Sequence, residues 1–331
     1  MDHLRVIDVS ALRAQRSGAA AAVAAVATQI DRACREVGFF VIEGHGIDEA
    51  LLADLDDAAR RFFALPDAIK RDVEMARSGP SWRGWFPVGG ELTSGVPDRK
   101  EGLYFGAERT GADPRVAAGV PLHGPNPFPT QVPELRDLVL RFIDAMTDLG
   151  HDLLRGIAVG LDLEADHFRR GMASDPTVLF RIFHYPMVES ADGAWGVAEH
   201  TDYGLLTLLR QDATGGLEVR TPDGWIEAAP VPGTFVCNLG DMLERISGGR
   251  YRSTPHRVRP PLGGAAVGRL SFPFFFDPNW DAEVPGLDGV YGDYLTAKVA
   301  RVFPDLFTTV RGATAVRPGS PPGRGNPVRR V

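Results

Sequence analysis

Hydrophobic positions in the first half of the chain recur at helical spacing, with Gly and Pro at the breaks. Apolar residues three or four apart predict amphipathic helices over residues 17–36 and 48–65, which end at Gly38 and Pro66. The same spacing continues longest over residues 135–157. The pattern therefore predicts a mainly helical N-terminal half.

The segments around these helices follow other patterns. The sequence GFFVIEGHG is continuously apolar between glycines, which is typical of a buried strand. Residues 78–98 and 111–133 are rich in Gly and Pro, so both predict irregular loops. Residues 290–303 return to helical spacing and predict a last helix.

From residue 176 onward, short runs of β-branched and aromatic residues alternate with turns of Gly, Pro and Asp. Strands are predicted in TVLFRIFHYP, LLTLLRQ, GLEVRTPDGWIEAAP, GTFVCNLGD, HRVRPP and GRLSFPFFFDP. The Asp-Gly pair in the third of these segments predicts a hairpin. Many short strands in succession favour a sandwich or jelly roll over a doubly wound fold. We therefore predict a mixed α+β protein whose helices flank a C-terminal β-core.

Composition narrows the class of protein. The chain has 331 residues, 44% of them hydrophobic, which is enough for a sizeable core. Its formal charge of -7 disfavours a nucleic acid or an anionic membrane as partner. Cys34 and Cys237 form no C-x-x-C pair, which disfavours a disulfide framework or a zinc ribbon. The start MDHLRVIDVS lacks the layout of a signal peptide and no apolar run reaches membrane-spanning length, so we expect a cytoplasmic protein.

Three residues of the β-half form a candidate metal site. His200 and Asp202 are two positions apart, so in an extended segment both side chains point to the same side. His256 belongs to another predicted strand and completes a set of two imidazoles and one carboxylate. Such a set holds Fe(II) and leaves coordination positions open for a bidentate co-substrate and O2. A single histidine is more often a core residue, so the prediction depends on all three residues.

Arg269 and Ser271 form a second candidate pair, because alternation puts both on one face of a predicted strand. A guanidinium beside a hydroxyl is suited to binding a carboxylate. The alternative is an exposed strand arginine that pairs with a surface acid.

Long segments give these residues a context. From about residue 5 to residue 305 the chain resembles the isopenicillin N synthase-like family of Fe(II)/2-oxoglutarate-dependent oxygenases. In the N-terminal region, 5–110, the matching segments are VIDVS, GFFVIEGHGI, RFFALP, RGWFPVGGE and DRKEGLYFG. In the catalytic β-core, 176–280, they are HTDYGLLTLLRQD, GGLEVRTPDGWIEAAPVPGTFVCNLGDMLERISGGRYRSTPHRV and GRLSFPFFFDPN.

The resemblance implies a single oxygenase domain over residues 1–305, built on a distorted double-stranded β-helix, or jelly roll. It also implies a reaction. A small molecule is oxidised, most simply by hydroxylation, with Fe(II) as cofactor and 2-oxoglutarate and O2 as co-substrates, and succinate and CO2 are released. Residues 306–331 are rich in Arg, Gly and Pro, so we expect a flexible C-terminal tail.

The resemblance further implies roles for individual residues. His200, Asp202 and His256 would bind Fe(II), and Arg269 and Ser271 would hold the distal carboxylate of 2-oxoglutarate. No side chain acts as a general acid or base in such a reaction.

Three further residues share one predicted strand face. Tyr185 matches a tyrosine that in many relatives also binds the co-substrate carboxylate; a half-buried strand aromatic is the alternative. Phe183 stands where plant relatives often carry Asn, so one polar contact to the co-substrate is not expected. Arg181 follows by alternation. A buried arginine needs an anionic partner, which is either a carboxylate of the substrate or an acid of the protein.

The remaining candidates have weaker signals. Arg83 and Trp85 lie in the predicted loop 78–98, which the resemblance puts near the substrate entrance. Asn238 either bonds a group on the metal or caps the turn that follows it, and we favour the structural role. His184 points to the strand face opposite Tyr185, so we interpret it as a non-ligand.

Other functions stay open at this point. An oxidase of the isopenicillin N synthase type uses Fe(II) and O2 without 2-oxoglutarate, and its Arg-x-Ser pair binds the substrate instead. An ethylene-forming enzyme fragments 2-oxoglutarate. A cupin-like binding module would have the fold without the catalysis. The sequence contains no motif that identifies the substrate or the oligomeric state.

Overall fold

The structure is a computed structural model that describes residues 3–13, 20–189, 195–263 and 268–304. The predicted tail, 306–331, lies outside the described residues, and so does the start of the predicted helix at 17–19.

Helices make up much of the N-terminal half, as predicted. The described helices are α1 (Ser10–Arg13), α2 (Ala20–Glu36), α3 (Glu49–Phe63), α4 (Asp67–Lys70), α5 (Pro114–Ala117), α6 (Leu135–Gly160), α7 (His167–Arg170), α8 (Asp241–Ile246) and α9 (Tyr291–Val302). Short 3₁₀ helices lie at Arg71–Val73, Met75–Arg77 and Gly79–Ser81. The predictions that correspond to α2, α3, α6 and α9 are confirmed.

Helix α6 packs against α2 and α3 through their apolar faces. In α3, Leu51, Leu55 and Phe62 recur at helical spacing and are buried. The Asp48 carboxylate accepts a hydrogen bond from the Ala50 amide at 2.9 Å and so caps the start of the helix. None of the helices in the described part of the chain combines the length and the apolar character that crossing a bilayer requires.

Strands come from both halves of the chain. The described strands are β1 (Val6–Asp8), β2 (Phe39–Glu43), β3 (Gly84–Phe86), β4 (Leu92–Thr93), β5 (Val96–Pro97), β6 (Glu101–Gly106), β7 (Pro176–Tyr185), β8 (Val197–His200), β9 (Leu206–Gln211), β10 (Leu217–Thr221), β11 (Gly224–Glu227), β12 (Phe235–Leu239), β13 (His256–Val258) and β14 (Arg269–Asn279). Each of the predicted strand segments contains a strand. The Asp-Gly hairpin is β10–β11, with Thr221 opposite Gly224.

These strands form two main sheets. The large sheet has the order β1-β2-β12-β9-β14-β7-β6-β3, and the small sheet has the order β11-β10-β13-β8. Strands β4 and β5 pair separately as a hairpin. Side chains of both main sheets line one cavity of about 550 Å³. The arrangement is a jelly-roll core, and strands of the N-terminal region extend its large sheet.

The prediction of an irregular loop at 78–98 is wrong in part. Strand β3 forms the edge of the large sheet, with Trp85 opposite Leu103 of β6. A Cβ at Gly84 would lie 2.2 Å from the Val73 carbonyl oxygen, and its φ is +115°. Only glycine tolerates that backbone approach, so a residue that resembles a loop signal begins a buried strand.

Candidate metal centre and co-substrate pocket

The two candidate imidazole ligands lie side by side in the small sheet. Strand β8 ends at His200 and β13 begins at His256, and the two residues are direct antiparallel partners. Asp202 follows β8 in the turn that leads to β9. One ligand atom from each residue lies within 4.8 Å of the others. The structure thus gathers the predicted triad at one point.

Hydrogen bonds to main-chain carbonyls orient both imidazoles. The Nδ1 atom of His200 lies 2.8 Å from the Ala198 oxygen, and that of His256 lies 3.1 Å from the Thr254 oxygen. When each Nδ1 carries the hydrogen, each Nε2 keeps its lone pair, and the Nε2 atoms lie 3.9 and 3.8 Å from Asp202 Oδ1. Two nitrogen lone pairs and one carboxylate oxygen therefore converge.

The other carboxylate oxygen of Asp202 is occupied. Its Oδ2 accepts hydrogen bonds from the Thr207 hydroxyl at 2.5 Å and from the Asn238 amide at 2.7 Å. Asn238 thus contacts the carboxylate itself, which is neither of the two contacts predicted for it from the sequence. These two bonds leave Oδ1 as the oxygen directed at the imidazoles.

The charge states suit metal binding. Burial alone would raise the pKa of Asp202, but the nearby His256 and His200 and the two hydrogen bonds lower it below its usual value. Burial, with the charge of His200, lowers the pKa of His256 to about 4, against the pull of Asp202. The carboxylate is therefore ionised and the His256 imidazole neutral near neutral pH, as metal ligands must be.

Arg269, Ser271 and Tyr185 meet at the end of the large sheet that faces the triad. Arg269 and Tyr185 are direct partners across β14 and β7, and the guanidinium carbon lies 4.7 Å from the tyrosine ring centroid. All three residues line the cavity and are no more than 2% exposed. The predicted same-face arrangement of Arg269 and Ser271 is present.

The Arg269 guanidinium is only partly satisfied. Its Nε donates to the Gly215 carbonyl at 2.6 Å, and its Nη2 donates to the Gln211 side-chain oxygen at 3.3 Å. Its Nη1 is buried and has no hydrogen-bond partner among the described residues. A buried donor of this kind calls for an acceptor from outside the chain, and a carboxylate suits it.

Arg181 occupies the cavity wall beyond Phe183, on the same face of β7. Its guanidinium carbon lies 4.1 Å from the Tyr104 ring centroid and 4.7 Å from that of Phe275. Nη1 lies 3.5 Å from Glu91 Oε1, so the internal ion pair considered from the sequence is present. Its Nε is buried without a hydrogen-bond partner within the described ranges.

Glu91, Asp98 and Lys100, which we call the hairpin network, were missed from the sequence. Lys100 Nζ lies 2.8 Å from Glu91 Oε2 and also bonds Asp98. The Tyr104 hydroxyl donates to Glu91 at 2.6 Å, and the Thr93 hydroxyl donates to Asp98 at 2.7 Å. The network fixes both ends of the β4–β5 hairpin, of which β4 and the turn line the cavity. The only sequence signal was the charged residues at 91 and 98–100, in and beside the Gly-rich segment.

The prediction that Arg83 and Trp85 lie at the substrate entrance is wrong. The Arg83 guanidinium donates to the carbonyls of Leu122 and Gly124, and the Trp85 indole donates to Glu101 at 2.8 Å. Both side chains are buried, and neither is among the described residues that line the cavity. They hold β3 and the 111–133 segment in place.

His184 agrees with its interpretation as a non-ligand. Its Nδ1 lies 2.8 Å from Glu101, its ring stacks on Phe63, and it lies on the face of β7 away from the cavity. Residues of α9 also line the cavity, among them Leu295, Lys298 and Val299. A helix was predicted there from the spacing of apolar residues, but that spacing does not indicate which residues the helix faces.

A jelly-roll cavity that brings two imidazoles and one carboxylate to one point fits the Fe(II) site of a non-haem iron oxygenase. Two family models match the chain. One is described as the non-haem dioxygenase in morphine synthesis N-terminal region, over residues 4–131, and the other as the 2OG-Fe(II) oxygenase superfamily, over residues 176–278. The chain belongs to the 2OG-Fe(II) oxygenase superfamily and is a 2-oxoglutarate-dependent Fe(II) oxidoreductase.

Similar proteins agree with this membership. A probable iron/ascorbate oxidoreductase of Dictyostelium discoideum is 44% identical over 86% of this chain and 91% of its own length. A homoarginine-6-hydroxylase of Glycine max is 38% identical over 91% of this chain and 97% of its own length. A full-length Neurospora crassa protein solved in complex with alpha-KG is 27% identical, with a TM-score of 0.75, over 90% of this chain and 96% of that one.

Proposed function

We propose that this enzyme hydroxylates a small molecule that carries a carboxylate, and couples this to the conversion of 2-oxoglutarate into succinate and CO2. The observation that carries the proposal is the buried Arg269 Nη1, a donor without a partner among the described residues, in the cavity that contains the triad. Its natural acceptor is the distal carboxylate of 2-oxoglutarate.

In this proposal His200, Asp202 and His256 hold Fe(II), which when bound activates O2 for the oxidation. The protein supplies geometry. Thr207 and Asn238 fix the Asp202 carboxylate, and the two main-chain carbonyls hold the imidazoles in the ligating tautomer.

Arg269, Ser271 and Tyr185 anchor the co-substrate in the proposal. The guanidinium supplies Nη1, and the Ser271 and Tyr185 hydroxyls lie on the same cavity wall. Their burial excludes water from the carboxylate, which strengthens each charged hydrogen bond.

Arg181 is our candidate for binding the substrate. Two aromatic rings hold its guanidinium plane, and Nε is left without an acceptor among the described residues, so a second carboxylate can bind its edge. A cavity of about 550 Å³ is within the range of small-molecule sites, and it limits the combined size of the co-substrate and the substrate. The hydroxylase activity in the name of the Glycine max relative supports hydroxylation as the outcome.

The test is a screen of small carboxylic and amino acids, scored by succinate release that depends on both Fe(II) and the added compound. Product mass should increase by one oxygen atom. Asp202→Ala should bind no Fe(II) in an anaerobic titration and release no succinate. A wild-type enzyme that binds Fe(II) but never forms succinate would refute the proposal.

The same screen addresses the alternatives. An oxidase of the isopenicillin N synthase type would consume O2 with the substrate and form no succinate. An ethylene-forming enzyme would release ethylene into the headspace from 2-oxoglutarate. A binding module would retain ligands without consuming O2.

A further inference from the structure

The turn that carries Asp202 is locked to the start of α8. The Asp241 amide donates to the Asp202 carbonyl at 2.8 Å, and the Met242 amide donates to the Gly204 carbonyl at 3.1 Å. The position of the metal carboxylate therefore depends on what holds Asp241 and Gly204.

Asp277 of β14 packs directly on this turn. A Cβ at Gly204 would lie 1.5 Å from Asp277 Oδ1, so only glycine fits beneath the carboxylate. The other oxygen, Oδ2, accepts a hydrogen bond from the Tyr291 hydroxyl at 2.6 Å. Asp277 is 2% exposed and Tyr291 is 0% exposed, so water does not compete for this bond.

Asp241 makes a second connection of the same kind. Its Oδ2 accepts a hydrogen bond from the Tyr294 hydroxyl at 3.3 Å. Its Oδ1 accepts one from the Ser253 hydroxyl at 2.8 Å, in the segment that leads to His256. Asp241 thus contacts both the turn that carries Asp202 and the segment that leads to His256.

Both tyrosines belong to α9, which also forms a wall of the cavity through Leu295 and Val299. Two Tyr–Asp hydrogen bonds therefore connect this wall to the turn that bears the metal carboxylate. We call the pairs Tyr291–Asp277 and Tyr294–Asp241 the tyrosine clamp.

We propose that the tyrosine clamp fixes the orientation of the Asp202 carboxylate relative to the α9 wall, so that its members are positioning residues for the metal centre. The proposal rests on the assignment of Asp202 as an iron ligand. The clamp acts on the metal centre through the turn that carries Asp202. Outer contacts of metal ligands commonly change metal affinity by about 10-fold to 100-fold, and the clamp is one contact further away, so we expect about the lower value.

The experiment uses Tyr291→Phe in the full-length protein. Fe(II) affinity is measured anaerobically with 2-oxoglutarate present, from the visible charge-transfer absorption of the complex. The matched control is Tyr251→Phe, since the buried Tyr251 also donates its hydroxyl to an aspartate, Asp31, at 2.9 Å, in a part-buried bond away from the cavity. Both variants should lose a few degrees in the Tm of the metal-free protein, about 2–4 °C.

Only Tyr291→Phe should then weaken Fe(II) binding, by about 10-fold, and shift the absorption band. Equal Fe(II) affinities for Tyr291→Phe and Tyr251→Phe would overturn the proposal. If Tyr291→Phe does not fold, Tyr294→Phe decides, because this residue is half-buried. A smaller loss of Fe(II) affinity in that variant supports the clamp, and wild-type affinity overturns it.

Failure of the clamp proposal can be distinguished from failure of the proposed function. A wild-type protein that fails to bind Fe(II) refutes the oxygenase assignment, whatever the variants do. A wild-type protein that binds Fe(II) and releases succinate, with clamp variants that bind equally well, refutes the clamp alone.

Discussion

In the wall of the cavity, Arg269 keeps a guanidinium nitrogen without a hydrogen-bond partner in the described ranges, whereas Lys100, in the same wall, contacts two carboxylates. Both side chains are about equally buried, at 1% and 2% exposed. The two side chains are therefore alike in burial. They differ in whether each of their hydrogen-bond donors has a partner in the described ranges. An unsatisfied buried charge indicates a place for a ligand, and a satisfied one indicates scaffold.

From this difference between Lys100 and Arg269, we expect Lys100→Met mainly to lower the stability of the protein. It would leave Asp98 buried without its cation and Glu91 with Arg181 alone, and the loss of a buried ion-pair partner commonly costs about 3–5 kcal/mol. Urea unfolding of the metal-free protein measures this loss.

Lys298→Met is the control, because Lys298 lies over two tyrosine rings and has no acid within ion-pair distance in the described part of the chain. Its loss should stay near about 1 kcal/mol. Similar losses for both variants would contradict the distinction between satisfied and unsatisfied cations.

Arg269→Gln, by contrast, should impair co-substrate binding more than stability. We expect KM for 2-oxoglutarate to rise about 100-fold, since truncating one partner of a buried charged pair costs about 2–5 kcal/mol. Steady-state succinate release measures KM. Arg210→Gln serves as control, because Arg210 neighbours the cavity-lining Leu209 but contacts Asp56 and Phe272 instead. If KM changes no more in Arg269→Gln than in the control, then Arg269 does not anchor the co-substrate.

Arg181 combines both properties, since it makes one ion pair and its Nε has no hydrogen-bond partner among the described residues. Arg181→Gln should raise KM for the substrate about 10-fold, as expected for one charge-assisted hydrogen bond of about 1.5 kcal/mol. KM for 2-oxoglutarate should change little. Unchanged substrate KM together with a lower Tm would assign Arg181 to the scaffold.

A pH-dependent change in Tm is expected at Glu101, which lies on the face of the sheet away from the cavity. Burial raises its pKa, but bonds from His184, Lys70 and Trp85 outweigh this and hold the pKa below the usual 4.5. A lowered pKa means that the ionised carboxylate stabilises the fold above about pH 4.5, and that this contribution disappears as the pH falls through the folded-state value. The Tm difference between wild type and Glu101→Gln should therefore shrink below pH 4.5. A constant difference between pH 7 and pH 3 would contradict this.

The co-substrate end could be predicted from sequence because its geometry is local. Alternation along one strand puts Arg269 and Ser271 on one face, and two-residue spacing relates His200 to Asp202. His256 could be proposed as their distant partner because it lies in another predicted strand, and the resemblance supported that choice. The helices could be predicted because their apolar spacing extends over many residues, so that a single exception does not hide the pattern.

The substrate end could not be predicted because its contacts are non-local and its segments are Gly-rich. Glu91, just before β4, and Arg181, in β7, are far apart in sequence, and nothing in either segment indicates that they form an ion pair. Trp85 resembled a loop residue because Gly84 precedes it, although that glycine permits a close strand contact. The tyrosine clamp depends in the same way on α9 packing against β14.

The alternating side chains of β14 form a continuous floor, since Arg269, Ser271, Pro273, Phe275 and Asp277 all line the cavity. The β4–β5 hairpin and α9, by contrast, are separate pieces that border it from above. Substrate preference can therefore be redesigned by grafting these two pieces from another member of the superfamily while the floor is left intact. Such chimaeras should accept new substrates and still use 2-oxoglutarate as the parent enzyme does, provided that the grafted α9 keeps Tyr291 and Tyr294.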